Sequence, residues 1–192
     1  LLTARALRLS ANYALRLGHG LKHFLYNQAA ARAETALRML ATDILSRSAA
    51  EGLTPLQRRF FHPFIADAIP MGLFPQGSEE AALVLDIVER GFAIDDMPLR
   101  YSSKPDGDWF ARQARPQIAL RLARAYAANG EMPRAEALFA SVTRAAANRD
   151  GLLPELIEPV SGNSYGGLPH IPTAADYILT AEYLVMKRLE TR

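Results

Sequence analysis

The near absence of strand patterning limits what this chain can fold into. Apolar residues recur at three- and four-residue steps through most of the sequence, beginning with Leu2, Ala6, Leu9, Tyr13 and Leu17. This spacing places them on one face of a helix. No run of alternating Val, Ile or Thr residues occurs, although half-buried strands show such alternation. The sequence therefore predicts an all-α fold.

Glycine, proline and capping residues divide the sequence into separate helices, because they mark where helices begin and end. Ser78, followed by two glutamates, has the side chain expected of a helix cap. Longer connections at 63–78, 95–109 and 150–172 hold most of the unusual aromatic and charged residues. The predicted helical segments are 2–17, 21–48, 56–68 with an interruption at Pro63, 79–91, 114–129, 132–148 and 173–189.

Composition narrows the classes of function. The 192 residues are 49% hydrophobic and 22% charged, with a net charge of +2, which is ordinary for a globular domain with a proper core. No Lys/Arg block forms a stripe, so we expect no nucleic-acid partner. No apolar run reaches membrane length, so we expect no membrane association. Cysteine is absent, which excludes thiol catalysis and Cys-bound zinc. With no visible signal peptide, this composition fits a cytoplasmic location.

The segment 151–159, Gly-Leu-Leu-Pro-Glu-Leu-Ile-Glu-Pro, is the most informative loop. It holds two carboxylates, Glu155 and Glu158, between two prolines, and a glycine-rich stretch containing Tyr165 follows it. His170 then lies between Pro169 and Ile171-Pro172. Carboxylates, an aromatic ring and a histidine on loops that connect helices suit a carbohydrate-binding or hydrolytic cleft. His19, His23 and His62 share no metal-ligand spacing with His170, so we expect no metal site.

Four elements, taken in order, resemble the glucoamylase family of inverting α-glycosidases, whose bacterial relatives include glucodextranases and trehalases. These elements are the segment 3–18, the Asp-Ala stretch 64–68 with Gly-Leu-Phe-Pro at 72–75, the Leu-Arg-Tyr element 99–101, and the loop 151–159. The resemblance implies helical hairpins that form about half of an (α/α)₆ toroid. Residues 1–192 would then be one all-α domain, the carboxy-terminal part of a larger catalytic domain.

The resemblance also implies roles for individual residues. Glu155 stands where the family has its catalytic base, and Arg100 stands where a guanidinium holds sugar hydroxyls. An inverting glycosidase needs one carboxylic acid to protonate the leaving oxygen and one carboxylate to activate water. The general acid would lie upstream of Leu1, so the chain alone would be inactive. The implied partner is an α-linked glucoside and no cofactor is implied. The full expected substrate-binding set is Arg100, Tyr101, Trp109, Asp67, Glu158, Tyr165 and His170.

Each of these assignments has a structural alternative. Glu155 can be an exposed loop carboxylate, Arg100 can pair with nearby aspartates, Trp109 can fill a core, and Asp67 can cap a helix end. A second functional hypothesis is a non-catalytic, tetratricopeptide-like scaffold that binds a protein or a polysaccharide. A scaffold predicts short, interchangeable turns, whereas a hydrolase predicts that Arg100, Trp109 and Glu155 converge on one cleft. Half a toroid would also leave an apolar helix face open, where we expect self-association.

Overall fold

A computed structural model describes residues 2–51, 63–94, 97–98, 113–158 and 161–190, and most of these residues are helical. The all-α prediction is confirmed. Two pairs of very short antiparallel strands interrupt the helical order: β1 (Ala93–Ile94) with β2 (Met97–Pro98), and β3 (Leu156–Ile157) with β4 (Ser164–Tyr165). The helices are α1 (Leu2–Arg16), α2 (Gly20–Glu51), the 3₁₀ helix Pro63–Ala68, α3 (Glu79–Phe92), α4 (Pro116–Ala128), α5 (Met132–Ala147) and α6 (Ile171–Glu190).

The chain divides into two compact units, Leu1–Ala50 and Glu51–Arg192. The first unit is an antiparallel helical hairpin of α1 and α2. Arg8 of α1 forms an ion pair with Glu34 of α2 at 2.7 Å, and the His23 ring Nδ1 lies 3.0 Å from the carbonyl oxygen of Ala11. Among the side chains of this hairpin that the structure describes, the buried apolar ones are Ala4, Ala11, Ala14 and Ala30. Small side chains at these positions allow the two helix backbones to approach closely.

The apolar row identified on α1 from the sequence does not coincide with this seam. Leu9, Tyr13 and Leu17 are 53%, 66% and 69% exposed, whereas Ala11 and Ala14 are buried. The larger side chains share a helix face, as their spacing predicts, but that face is exposed. The covered side of α1 carries the small residues Ala11 and Ala14.

The second unit is built around α4, which packs against α5, α6 and the 3₁₀ helix. Ile118, Leu120 and Leu122 are all buried, as expected for a helix covered on several sides. A proline in the first turn suits the start of this helix, because its missing N–H has no helical partner there. Because α4 lies between these elements, its few polar side chains can form ion pairs and hydrogen bonds with several of them.

The helix ends agree closely with the sequence prediction, with informative exceptions. The Ser78 hydroxyl accepts a hydrogen bond from the Ala81 N–H at 3.2 Å, which confirms its role as the cap of α3. Helix α4 begins at Pro116 and not at residue 114, because Ala114 exchanges two backbone hydrogen bonds with Ile157. Residues 56–62 of the predicted third helix lie outside the described residues.

Candidate functional site

The loop that follows α5 is held by backbone hydrogen bonds on both sides. Asp150 and Gly151 adopt left-handed backbone conformations after α5 ends, and this reverses the chain direction. Leu156 and Ile157 then pair with Tyr165 and Ser164 of β4. On its other edge, Ile157 pairs with Ala114, just ahead of α4, through bonds of 2.8 and 2.9 Å. The sequence 151–158 is therefore an ordered platform, and it positions Glu155 at the amino-terminal end of α4.

Both carboxylate oxygens of Glu155 have hydrogen-bond donors. The Arg115 Nη2 lies 3.3 Å from Oε1, and the Gly167 N–H donates to Oε2 at 3.3 Å. The backbone N–H of Glu155 donates to the Gly167 carbonyl at 3.1 Å. The Glu155 side chain nevertheless keeps 30% of its surface exposed. This carboxylate is thus held in place by protein donors while part of its surface stays open to small molecules.

His170 lies next to Gly167. Its backbone N–H donates to the Leu153 carbonyl at 2.8 Å, and its ring Nδ1 lies 2.7 Å from the Thr173 hydroxyl in the first turn of α6. A methyl group placed on Gly167 would meet the His170 ring carbon Cδ2 at 3.6 Å. The structure therefore places two residues predicted from the sequence beside adjacent glycines: Glu155 lies next to Gly166, and His170 lies next to Gly167.

Glu158 is engaged in shaping the hairpin between β3 and β4. Its carboxylate accepts a hydrogen bond from the Ser161 hydroxyl. Its backbone N–H donates to the Asn163 carbonyl at 2.8 Å, and its carbonyl accepts from the Gly162 N–H at 2.8 Å. Tyr165 is half-buried on β4. The carboxylate of Glu158 thus has a local partner, Ser161. The partner of the Glu155 carboxylate is Arg115, which is distant in sequence.

Arg149 ties the same hairpin to the end of α5. Its guanidinium donates to the Ser164 hydroxyl and to the Gly162 carbonyl, and its Nη1 donates to the Ala145 carbonyl at 2.5 Å. A planar guanidinium presents several donors in fixed directions, so one side chain can hold β4 and the turn before it against the end of α5. The sequence analysis did not single out Arg149, because a lone arginine at a helix end has many possible roles.

Asp67 belongs to a separate, largely buried cluster of charges. Its carboxylate lies 2.6 Å from Arg121 and 3.9 Å from Arg124. Both arginines also pair with Asp176 of α6, at 3.1 and 2.7 Å, and Gln117 donates to the same carboxylate at 2.9 Å. Asp67 and Asp176 are only 7% and 5% exposed. The cluster therefore joins the 3₁₀ helix, α4 and α6.

Sequence reasoning missed Arg121, Arg124 and Asp176, although a signal for the arginines was present. Gln117, Arg121 and Arg124 recur at four- and three-residue steps on an otherwise apolar helix, and this spacing places them on one face. Arg115 precedes α4, whereas Arg121 lies on its second turn. Arg115, which contacts Glu155, and Arg121, which contacts Asp67, are consequently separated along the helix axis by about 9 Å.

Three predicted site residues cannot be placed. Arg100, Tyr101 and Trp109 lie outside the described residues. The predicted convergence of Arg100, Trp109 and Glu155 on one cleft therefore stays a prediction.

In the described parts of the chain, no helix combines the length and the apolar character needed to cross a bilayer. No cluster of three or more His, Asp or Glu side chains suited to holding a metal ion occurs in 2–51, 63–94, 97–98, 113–158 and 161–190.

Comparison of the chain with protein-family models, with curated proteins and with solved structures gives no match. The resemblance to glucoamylases therefore depends on the four sequence elements described above.

Proposed function

We propose that this chain carries the general-base part of an inverting α-glycosidase site, with Glu155 as the base. The observation that supports this assignment most is the state of its carboxylate. Arg115 and the Gly167 N–H hold its two oxygens, yet the side chain remains about one-third exposed. A general base must be fixed in position and within reach of the water that it activates.

The surroundings of Glu155 suit a carbohydrate better than a bulky apolar ligand. Gly166 and Gly167 are exposed and carry no side chains, so the backbone itself forms the surface beside the carboxylate. His170 adds a polar ring next to Gly167. Exposed backbone groups and polar side chains offer the donors and acceptors that sugar hydroxyls require.

The proposed reaction is inversion at the anomeric carbon of an α-linked glucoside. Glu155 would remove a proton from water as the water attacks, and a carboxylic acid on the opposite side of the sugar would protonate the leaving oxygen. In inverting enzymes the two carboxyl groups are roughly 6.5–9.5 Å apart, which leaves room for the water. The resemblance implies that this acid lies on a segment ahead of the four matched elements, so the assays use the full-length protein.

Replacement of Glu155 by Gln tests this proposal directly. The assay measures hydrolysis of maltose, isomaltose and trehalose by the full-length protein, and proton NMR identifies the anomer released first. We expect the wild type to release the β-anomer. We expect Glu155→Gln to lower kcat by about 10²–10⁴-fold, because general-base catalysis contributes that much, while sugar binding persists. Glu136→Gln is the matched control, since its carboxylate forms an exposed ion pair with Arg188 and is not part of the proposed site. Unchanged turnover in Glu155→Gln would remove Glu155 from the mechanism.

A non-catalytic helical scaffold is the second candidate function. Helices α4 and α5 form an alanine-rich hairpin with a short turn at 129–131, which favours a tetratricopeptide-like unit that binds a protein or a polysaccharide. The long, internally hydrogen-bonded connection between α5 and α6 favours the hydrolase. Binding of the same sugars without any hydrolysis by the full-length wild type would favour the scaffold.

We also propose that copies of this chain associate through an exposed apolar helix face. The outer side of α6 carries large apolar side chains that are more than half exposed, whereas its inner side is largely polar: Thr173, Asp176 and Thr180 are buried with Leu184. Contiguous exposed apolar surface of this kind commonly marks an association site. The exposed residues are Ile171, Ile178, Leu179, Val185, Met186 and Leu189.

A further inference from the structure

Gly166 approaches the Glu155 side chain more closely than any other amino acid would allow. A methyl group placed on Gly166 would lie 2.6 Å from the Glu155 Oε2, 3.0 Å from its Cβ and 3.1 Å from its Cδ. Distances below 3.0 Å are not sustained between such atoms, so the carboxylate would have to move. Gly166 also has φ of 78°, a left-handed conformation that glycine adopts without steric cost.

The next residue completes the contact. The Gly167 N–H donates to Oε2 of Glu155, and the Gly167 carbonyl accepts from the Glu155 backbone N–H. The Glu155 side chain thus packs against the backbone of Gly166 and Gly167, and Glu155 forms two hydrogen bonds with Gly167. On the opposite side, Arg115 holds Oε1 with a guanidinium that is only 14% exposed. The carboxylate is therefore confined between a backbone and an arginine.

We propose that Gly166 and Arg115 are positioning residues that set the orientation of the Glu155 carboxylate in the reaction. This inference rests on the proposed role of Glu155 as the general base. Gly166 permits the close approach of the loop, and Arg115 fixes the opposite oxygen. Neither residue needs to contact the substrate. Because misplacement of a reacting group by about 1 Å can cost 10²-fold in rate, both should influence kcat through Glu155.

The sharpest test compares Gly166→Ala with Gly162→Ala in the full-length protein. Gly162 lies in the same hairpin with φ of 71°, but a methyl group there meets nothing within 4 Å. Both variants introduce the same backbone strain, and only Gly166→Ala displaces Glu155. We expect Gly166→Ala to lower kcat by about 10–100-fold with little change in KM. We expect Gly162→Ala to keep kcat within about threefold, with a similar loss of thermal stability. Equal kcat values in the two variants would overturn the role of Gly166.

Arg115 is tested by graded replacement. Arg115→Met removes the donor to Oε1, and Arg115→Lys keeps a cation of shorter reach without the planar fork. We expect kcat to fall about tenfold or more in Arg115→Met and to recover in part in Arg115→Lys, with KM little changed in both. A merely structural arginine would give equal losses in the two variants, and that result would overturn its positioning role.

Two further measurements separate this inference from the proposed function. If Glu155→Gln leaves turnover unchanged, the proposed function fails. If Glu155→Gln abolishes turnover while Gly166→Ala does not lower it, only the positioning role fails. Carbon NMR of the Glu155 carboxyl group requires no catalysis. Its chemical shift should change in Gly166→Ala and stay the same in Gly162→Ala, and an identical spectrum in the two variants would contradict the predicted displacement.

Discussion

At the scale of single residues, Arg121 and Arg124 connect three elements of the second unit. Their guanidinium groups pair with Asp67 of the 3₁₀ helix and with Asp176 of α6, and Arg124 also donates to the Thr180 hydroxyl at 2.8 Å. Charges removed from water are favourable only when all of them are paired. The cluster therefore specifies which faces of these elements meet, and loss of one carboxylate leaves a guanidinium without its main partner.

Replacement of Asp176 by Ala should strongly destabilise the second unit. Asp176 is 5% exposed and accepts from Gln117, Arg121 and Arg124. We expect a loss of about 3–5 kcal/mol in the free energy of unfolding, because a buried ion pair is broken by removal of one partner. Urea denaturation followed by circular dichroism measures this change. Glu136→Ala, which breaks the exposed pair between Glu136 and Arg188, is the control and should change the midpoint little. Equal midpoints for the two variants would show that the cluster does not stabilise the fold.

At the scale of elements, local sequence signals predict the helices well and the strands poorly. Ser78 caps α3, Pro133 lies in the first turn of α5, and Asn129-Gly130 ends α4, and each of these signals acts within a few residues of its own helix. Strands β3 and β4 contain two residues each. Ile157 of β3 also pairs with Ala114, which lies more than forty residues away in sequence. Two-residue strands are too short to show an alternating pattern, so the hairpin around Glu158 could not be predicted.

In the candidate site too, local features could be predicted from the sequence and contacts between distant residues could not. The loop 151–159 could be identified from its residue types, and so could His170, because both lie on a connection between helices. The partner of Glu155 could not be identified from the sequence, since Arg115 is forty residues away. The need for glycine at position 166 also depends on which side chain folds over it. Sequence types therefore predict where chemistry is located, and tertiary contacts decide how each group is held.

The α1–α2 hairpin should lose stability on acidification through Glu34. A hydrogen bond from the Arg8 side chain lowers the pKa of Glu34 below its ordinary value of 4.5. A lowered folded-state pKa stabilises the hairpin above the unfolded-state pKa, and this contribution is lost as the pH falls through the folded-state value. The pair is partly exposed, so the contribution should be below about 1 kcal/mol.

Comparison of the wild type with Glu34→Gln measures this contribution. We expect the wild type to be slightly more stable at about pH 7, and the difference should shrink towards zero as the pH falls below about 4. Raising the salt concentration at neutral pH should also reduce the difference, because salt screens exposed charges. A difference that stays constant across this pH range would assign the effect of the substitution to packing and not to charge.

At the scale of the whole molecule, the exposed apolar side chains on the helices favour association. Both units expose large apolar side chains on helices: Leu9, Tyr13, Leu17, Leu21 and Phe24 in the first unit, and the outer face of α6 in the second. Exposed apolar surface left in water forgoes the roughly 25 cal/mol per Å² that burial provides. A fold that already covers the polar inner side of α6 therefore gains most by covering its apolar outer side.

Association through the outer face of α6 should depend on concentration and respond to charge placed on that face. Sedimentation velocity over a range of protein concentrations should show dimers or larger species for the wild type. The double variant Ile178→Glu, Val185→Glu should shift the distribution to monomers, because it places carboxylates in the middle of the apolar row. Ala137→Glu, Ala147→Glu adds the same charge at exposed positions of α5 and should associate as the wild type does. A wild type that sediments as a monomer at every concentration, or equal dissociation in the two double variants, would contradict association through α6.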